Sequence, residues 1–207
     1  MAINIIFDWS GVIKDALVGH LWVVNRMFEK YGVATLSVED FRESWVEPYL
    51  NFYQKYVPGM TLEEEQKLYK EGVLDKNYPS STVFEGMVEL IKLAKDKGNY
   101  VAVITSDFPE TIFPEINKFG LEGVFDDVVT NIHDKSEALG DLILKKGLGA
   151  DNTYIVGDSS NEIIAGQKNK IKSIFVTWGL MSETNLKQNK PNYIVHDIAE
   201  LKKTLNI

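Results

Sequence analysis

Four short runs in this chain are apolar without a polar interruption: Ile5-Ile6-Phe7, Val101-Ala102-Val103-Ile104, Tyr154-Ile155-Val156 and Ile174-Phe175-Val176. A strand with one wet face alternates apolar and polar side chains, whereas a strand covered on both faces reads as a continuous apolar run. These runs therefore predict a parallel sheet sandwiched between helices. Val128-Val129 and Tyr193-Ile194-Val195 are weaker candidates of the same kind. Between the runs lie segments of helical period. One carries Met87-Val88, Leu90-Ile91 and Leu93-Ala94 and stops at Gly98; another carries Ser136, Leu139, Leu142 and Ile143 and stops at Gly147. Glycine just past the last apolar position is a helix stop. Strand–helix alternation of this kind predicts an α/β fold with a doubly wound parallel sheet.

The alternation fails between residues 15 and 82. Leu17, Leu21, Val24 and Phe28 lie at helical spacing, and the stretch from Ser37 to Tyr56 continues with Phe41, Trp45, Tyr49, Phe52 and Tyr53. Thr61-Leu62-Glu63-Glu64 looks like a capped helix start. No convincing strand is legible there, and so long a stretch exceeds an ordinary connection. The expected organisation is an α/β core made of residues 1–14 and 83–207, with an inserted all-α cap domain over 15–82. The cap aromatics, Tyr56 included, read first as helix–helix packing and second as a pocket lining. Glu63-Glu64-Glu65 reads as a solvated helix N-terminus favoured by the helix dipole. Met27, Met60, Met87 and Met181 suggest only packing.

Composition removes several classes of function. The chain has 207 residues, no cysteine and a net charge of −8. Thiol nucleophiles, thiolate metal sites and disulfides are therefore excluded. An acidic chain without a basic run is not expected to bind nucleic acid. No apolar run approaches the length of a membrane helix, and the N-terminus enters an apolar strand with no basic flank, unlike a signal peptide. The expectation is a soluble, cytoplasmic protein with no membrane partner. Oligomeric state is not legible.

The chemistry-bearing residues follow the apolar runs. Asp8 ends the first, Thr105-Ser106-Asp107 the second and Asp158 the third. Each could be a plain turn residue, but open α/β sheets bind ligands beyond the carboxyl ends of their strands. Two carboxylates there would repel unless a cation lay between them, and carboxylate oxygens suit Mg²⁺.

Phe7-Asp8-Trp9-Ser10-Gly11-Val12, Val103-Ile104-Thr105-Ser106 and Val156-Gly157-Asp158-Ser159-Ser160-Asn161-Glu162 resemble, in order and spacing, the motifs of the haloacid dehalogenase superfamily. A helical cap after the first motif is a common arrangement there. The resemblance runs through Thr177-Trp178-Gly179 to Lys190-Pro191-Asn192-Tyr193 and is closest to the phosphoglycolate-phosphatase-like branch. It implies an Mg²⁺-dependent phosphohydrolase of a small phosphorylated metabolite. Asp8 would be the nucleophile that forms an aspartyl-phosphate. Thr105 and the Ser106 amide would hold a phosphoryl oxygen, and Lys135 would neutralise Asp8 and the phosphate. Asp8, the Ser10 carbonyl and Asp158 would bind the metal, with Glu162 in a direct or supporting role.

Two residues depart from the family's pattern. Ser10 stands where phosphatase branches usually carry an acid/base Asp. An alcohol does not titrate near neutral pH, and such catalysis contributes about 10²–10⁴-fold. Weak turnover, or a leaving group that needs no proton, is expected. Glu162 stands where Asp is usual. Two alternatives remain open at this level. One is carbon–phosphorus cleavage like that of phosphonoacetaldehyde hydrolases, which needs a cap lysine; Lys30, Lys55, Lys67 and Lys70 are available. The other is a phosphate-ester-binding protein with impaired catalysis. Of the three histidines, His20, His133 and His196, only His133, near Lys135, could approach the site, and a surface-loop role is the first expectation for it.

Overall fold

The computed structural model describes residues 2–186 and 189–207. The chain enters through β1 (Asn4–Phe7) and leaves the sheet by a two-residue strand, β2 (Lys14–Asp15). Four helices follow: α1 (Leu17–Lys30), α2 (Val38–Ser44), α3 (Tyr49–Tyr56) and α4 (Leu62–Val73). The chain returns through β3 (Thr82–Val83), antiparallel to β2, so a short ladder forms the root of a helical cap region. These strands leave no mark in the sequence, because two residues carry no periodicity. The remaining chain alternates as expected: α5 (Met87–Asp96), β4 (Tyr100–Ile104), α6 (Pro109–Lys118), β5 (Asp127–Val129), α7 (Lys135–Lys146), β6 (Thr153–Gly157), α8 (Ser160–Lys168), β7 (Lys172–Val176), β8 (Tyr193–Val195) and α9 (Ile198–Leu205).

Six strands form one parallel sheet in the order β5-β4-β1-β6-β7-β8, and all six apolar runs are in it. The apolar runs behave as two-faced strands. Ile5, Phe7, Val101 and Val103 pack into one apolar cluster, while Ile6, Ala102, Ile104 and Ile155 pack into another. Register then fixes the site. Phe7 pairs with Val103 on one side and Val156 on the other, so these strands end level. Asp8, Thr105 and Asp158 emerge side by side at that edge.

In the cap region the stretch from Ser37 to Tyr56 is two helices, not one continuous element. Pro48 has no N–H to donate, so α3 begins after it. Ser37 and Thr61 act as caps, accepting from Asp40 N at 3.1 Å and Glu64 N at 3.2 Å. Phe28, Phe41 and Phe52 are fully buried and share a cluster with Phe175 and Leu180 from the core. No helix among the described residues is long and apolar enough to cross a membrane.

One expectation about α4 is wrong. Glu63 and Glu64 are exposed, but Glu65 is only 3% exposed. Glu65 lies on the apolar face of α4 beside Tyr53, and burial lifts its carboxyl from 4.5 to about 8. Between those values the folded protein keeps a proton that the unfolded chain has released. The Glu65 contribution to stability is therefore greatest below about pH 4.5 and falls as pH rises toward about 8. Glu65→Gln removes that dependence. Its stability relative to wild type, measured by denaturant unfolding, is expected to rise between about pH 5 and about pH 8. A difference that does not change with pH would contradict this.

Candidate active site

Asp8 leaves β1 with 8% of its surface exposed. Its Oδ1 accepts from Trp9 N at 2.7 Å and meets Lys135 Nζ at 2.9 Å. Trp9 is fully buried and donates through Nε1 to Glu115 at 2.8 Å, while Glu115 also pairs with the buried Lys14 at 2.7 Å. The loop that follows Asp8 is thus anchored to Glu115 at both Trp9 and Lys14.

Asp158 follows β6 and is 2% exposed, with Oδ2 accepting from Leu180 N at 2.6 Å. Its carboxylate sits where side chains at two other positions would be. A Cβ on Gly11 (φ +84°) or on Gly179 would fall inside it. Glycine at these positions lets two turns close over one carboxylate.

Glu162 is held by the start of α8. Its Oε2 accepts from the backbone N of Ser159 at 3.1 Å and from Ser159 Oγ at 2.8 Å, and Oε1 takes Lys135 Nζ at 2.5 Å. Lys135 opens α7, is 3% exposed, and lies between Asp8 and Glu162. Glutamate at position 162 therefore reaches the lysine despite its longer arm. Both of its oxygens are engaged, so in this geometry it holds Lys135.

Three carboxylates and one ammonium share this buried site. Ligand oxygens of Asp8, Asp158 and Glu162 all lie within 4.8 Å of one another. With Lys135 charged, two negative charges remain uncompensated. Burial accordingly pushes Asp8 up to about 7 against the pull of Lys135, and raises Asp158 as well, with Asp8 and Glu162 adding to the shift. The same carboxylates hold Lys135 firmly protonated. Among the described residues, Asp8 Oδ2 and Asp158 Oδ1 have no partner. A hard divalent cation fits both the charge deficit and the oxygen donors.

Ser10 and Thr105 converge on Asp107, a residue to which the family resemblance gives no role. Ser10 Oγ donates to Asp107 at 2.8 Å and Thr105 Oγ1 donates to Asp107 at 2.8 Å. Asp107 N in turn donates to Thr105 Oγ1 at 3.1 Å. Thr105 is buried and Ser106 exposed. The only sequence sign of Asp107's role was its place in the same loop as Thr105.

Core and cap region line a partly open cavity of about 90 Å³ over these groups. Trp45, Tyr49 and Tyr53 line it while also packing in the cap cluster, whereas Phe52 and Tyr56 only pack there. Glu47, Glu65 and His20 line it too, and nothing in the sequence singled them out for it. His133 is more than a surface loop residue. Its Nδ1 meets Tyr49 Oη at 2.9 Å and its Nε2 meets Gln66 Nε2 at 2.7 Å, joining the core to α3 and α4. His196 lies away from the cavity, beside Glu200. None of Lys30, Lys55, Lys67 and Lys70 lines the cavity; Lys70 pairs with Glu110 at 2.7 Å.

Comparison with known proteins agrees with this geometry. The family model described as haloacid dehalogenase-like hydrolase matches residues 5–176. The pyrophosphatase PpaX of Halalkalibacterium halodurans is 24% identical, over 97% of this chain and 96% of its own. A phosphoglycolate phosphatase of Synechococcus elongatus is 21% identical, over 95% of this chain and 94% of its own. A solved haloacid dehalogenase-like family hydrolase from Streptococcus pneumoniae shares the fold, with a TM-score of 0.81 at 17% identity over 98% of each chain. With its motif residues gathered at one sheet edge beneath a helical cap, this chain belongs to the haloacid dehalogenase-like hydrolase family.

Proposed function

We propose that this protein is a Mg²⁺-dependent phosphohydrolase that cleaves small phosphorylated metabolites through Asp8, with residues 15–82 as the domain that covers the site. The observation that carries this reading is the buried set of Asp8, Asp158 and Glu162 around Lys135. Asp8 Oδ2 attacks phosphorus, the bond from phosphorus to the ester oxygen breaks, and its electron pair leaves with that oxygen. Water then attacks the phosphorus of the aspartyl-phosphate and returns Asp8 as a carboxylate. Lys135 keeps its charge throughout and offsets that of the phosphoryl group. Thr105 has one hydroxyl proton, and it rests on Asp107. Contact with a phosphoryl oxygen requires that proton to turn away, whereas the Ser106 amide donates without rearrangement.

Asp8, the Ser10 carbonyl and Asp158 would hold Mg²⁺, while Glu162 positions Lys135. The ion supplies charge compensation between an anionic nucleophile and an anionic substrate. Ser10 offers no titrating group to the leaving oxygen, which favours leaving groups that need little protonation. The position of Asp107 changes what Ser10→Asp would do. It would set two carboxylates within hydrogen-bonding distance of each other, and like charges so close disfavour double ionisation. Carbon–phosphorus cleavage through a cap lysine has no support from the lining of the cavity.

Mg²⁺ at about 100 times its Kd should stabilise the fold by about 2.7 kcal/mol in thermal unfolding, and Asp158→Asn should lose most of that gain. Equal melting in Mg²⁺ and in chelator would contradict the metal site. Wild type should release phosphate from p-nitrophenyl phosphate with a kcat at least ~10²-fold above that for 2-hydroxyethyl phosphate. Asp8→Asn should abolish both reactions. Ser10→Asp should speed hydrolysis of 2-hydroxyethyl phosphate only when combined with Asp107→Asn. Undiminished turnover by Asp8→Asn would overturn the reading.

A further inference from the structure

The cap half of the cavity carries its own chemistry, and none of it is needed to cleave a phosphoryl group. Lys135 is the single lysine or arginine among the described residues that line the cavity, and Asp8 and Glu162 already occupy it. Opposite stand Glu47, between α2 and α3, and Glu65 on α4. Neither forms an ion pair among the described residues. Beside Glu65 is Tyr53, 1% exposed, whose hydroxyl is buried and makes no hydrogen bond of normal geometry. A buried hydroxyl without a partner is costly unless something else completes it. Trp45 and Tyr69 add aromatic surface to the same wall.

From this arrangement we infer that the site takes a phosphomonoester whose small leaving group carries a primary ammonium. The inference rests on the phosphohydrolase reading and names the substrate class for the same site. Carboxylates combined with aromatic rings are the surroundings that favour a cation. Burial lifts both Glu47 and Glu65 to about 8; at Glu47 the nearby Glu162 adds to the rise and Lys135 opposes it, while Glu65 has no cation beside it. A primary ammonium brings three donors, and Glu47, Glu65 and the Tyr53 hydroxyl offer oxygens to accept them. A quaternary ammonium has the charge but no donor, so it leaves Tyr53 unsatisfied. A carboxylate or second phosphate on the leaving group meets two carboxyl groups and no free cation. Substrates with anionic leaving groups, such as phosphoglycolate and pyrophosphate, therefore fit this wall poorly.

The test compares kcat/KM of the Mg²⁺-loaded protein for three esters of similar size: 2-aminoethyl phosphate, 2-hydroxyethyl phosphate and phosphoglycolate. Phosphocholine and p-nitrophenyl phosphate are run alongside. The expected order is amine, then alcohol, then carboxylate, with at least about tenfold between first and last. Glu65→Gln, and separately Glu47→Gln, should shrink the ratio of amine to alcohol whatever their absolute rates. Turnover of p-nitrophenyl phosphate with equal rates for the three esters, or with phosphoglycolate ahead, would overturn the inference and leave the phosphohydrolase reading standing. Phosphocholine matching 2-aminoethyl phosphate would overturn the assignment of a primary ammonium. No release of phosphate from p-nitrophenyl phosphate would remove the phosphohydrolase reading and this inference with it.

Discussion

The site is organised around one lysine among three carboxylates. Lys135 touches both Asp8 and Glu162, and Asp158 lies within the same small volume. Taking charges out of water is expensive, and one ammonium cannot compensate three carboxylates. The cost shows in the upward shifts of Asp8 and Asp158. A fold that tolerates such a deficit at a sheet edge is poised to gain stability from a divalent cation and then from a phosphoryl group. Much of the local structure serves to hold these charges together. The glycines at 11 and 179 make room for the Asp158 carboxylate, the capping box of α8 fixes Glu162, and the anchored Trp9 fixes the loop behind Asp8.

The sheet was legible because two-sided burial leaves a distinctive mark. Runs such as Val101–Ile104 contain no polar residue that a wet face would require, and each became a strand. Their polar successors were legible for the same reason, since a side chain just past a buried strand must emerge at its end. Lys135 was different. Nothing in its own surroundings distinguishes it from a solvated loop lysine, and only the family resemblance singled it out. Its burial depends on Asp8 arriving from the end of β1 and Glu162 from the first turn of α8.

The inner wall of the cap region was opaque for a physical reason. Helical spacing of Trp45, Tyr49 and Tyr53 looks the same whether the apolar face meets another helix or a cavity, and here it meets both. Glu65 sits in an acidic first turn, where dipole and solvent explain a carboxylate fully, so its burial left no trace in the sequence. The contact of Asp107 with Ser10 was hidden because the two residues follow different strands, β4 and β1, which the parallel register sets side by side. Core and cap region are linked by His133, which contacts Tyr49 and Gln66. In the proposed reaction, recognition of the leaving group and chemistry at phosphorus fall to different parts of one cavity.

In the proposed reaction Asp8 becomes covalently phosphorylated. Without a titrating residue at position 10, breakdown of the aspartyl-phosphate should be slow enough for it to accumulate. The direct measurement is to mix the Mg²⁺-loaded protein with p-nitrophenyl phosphate, quench in acid, reduce with borohydride and sequence the N-terminal peptide by mass spectrometry. An acyl phosphate at Asp8 is reduced to homoserine at that position, and this is the expected result. Sustained release of phosphate with unmodified aspartate at position 8 in every quenched sample would contradict the account.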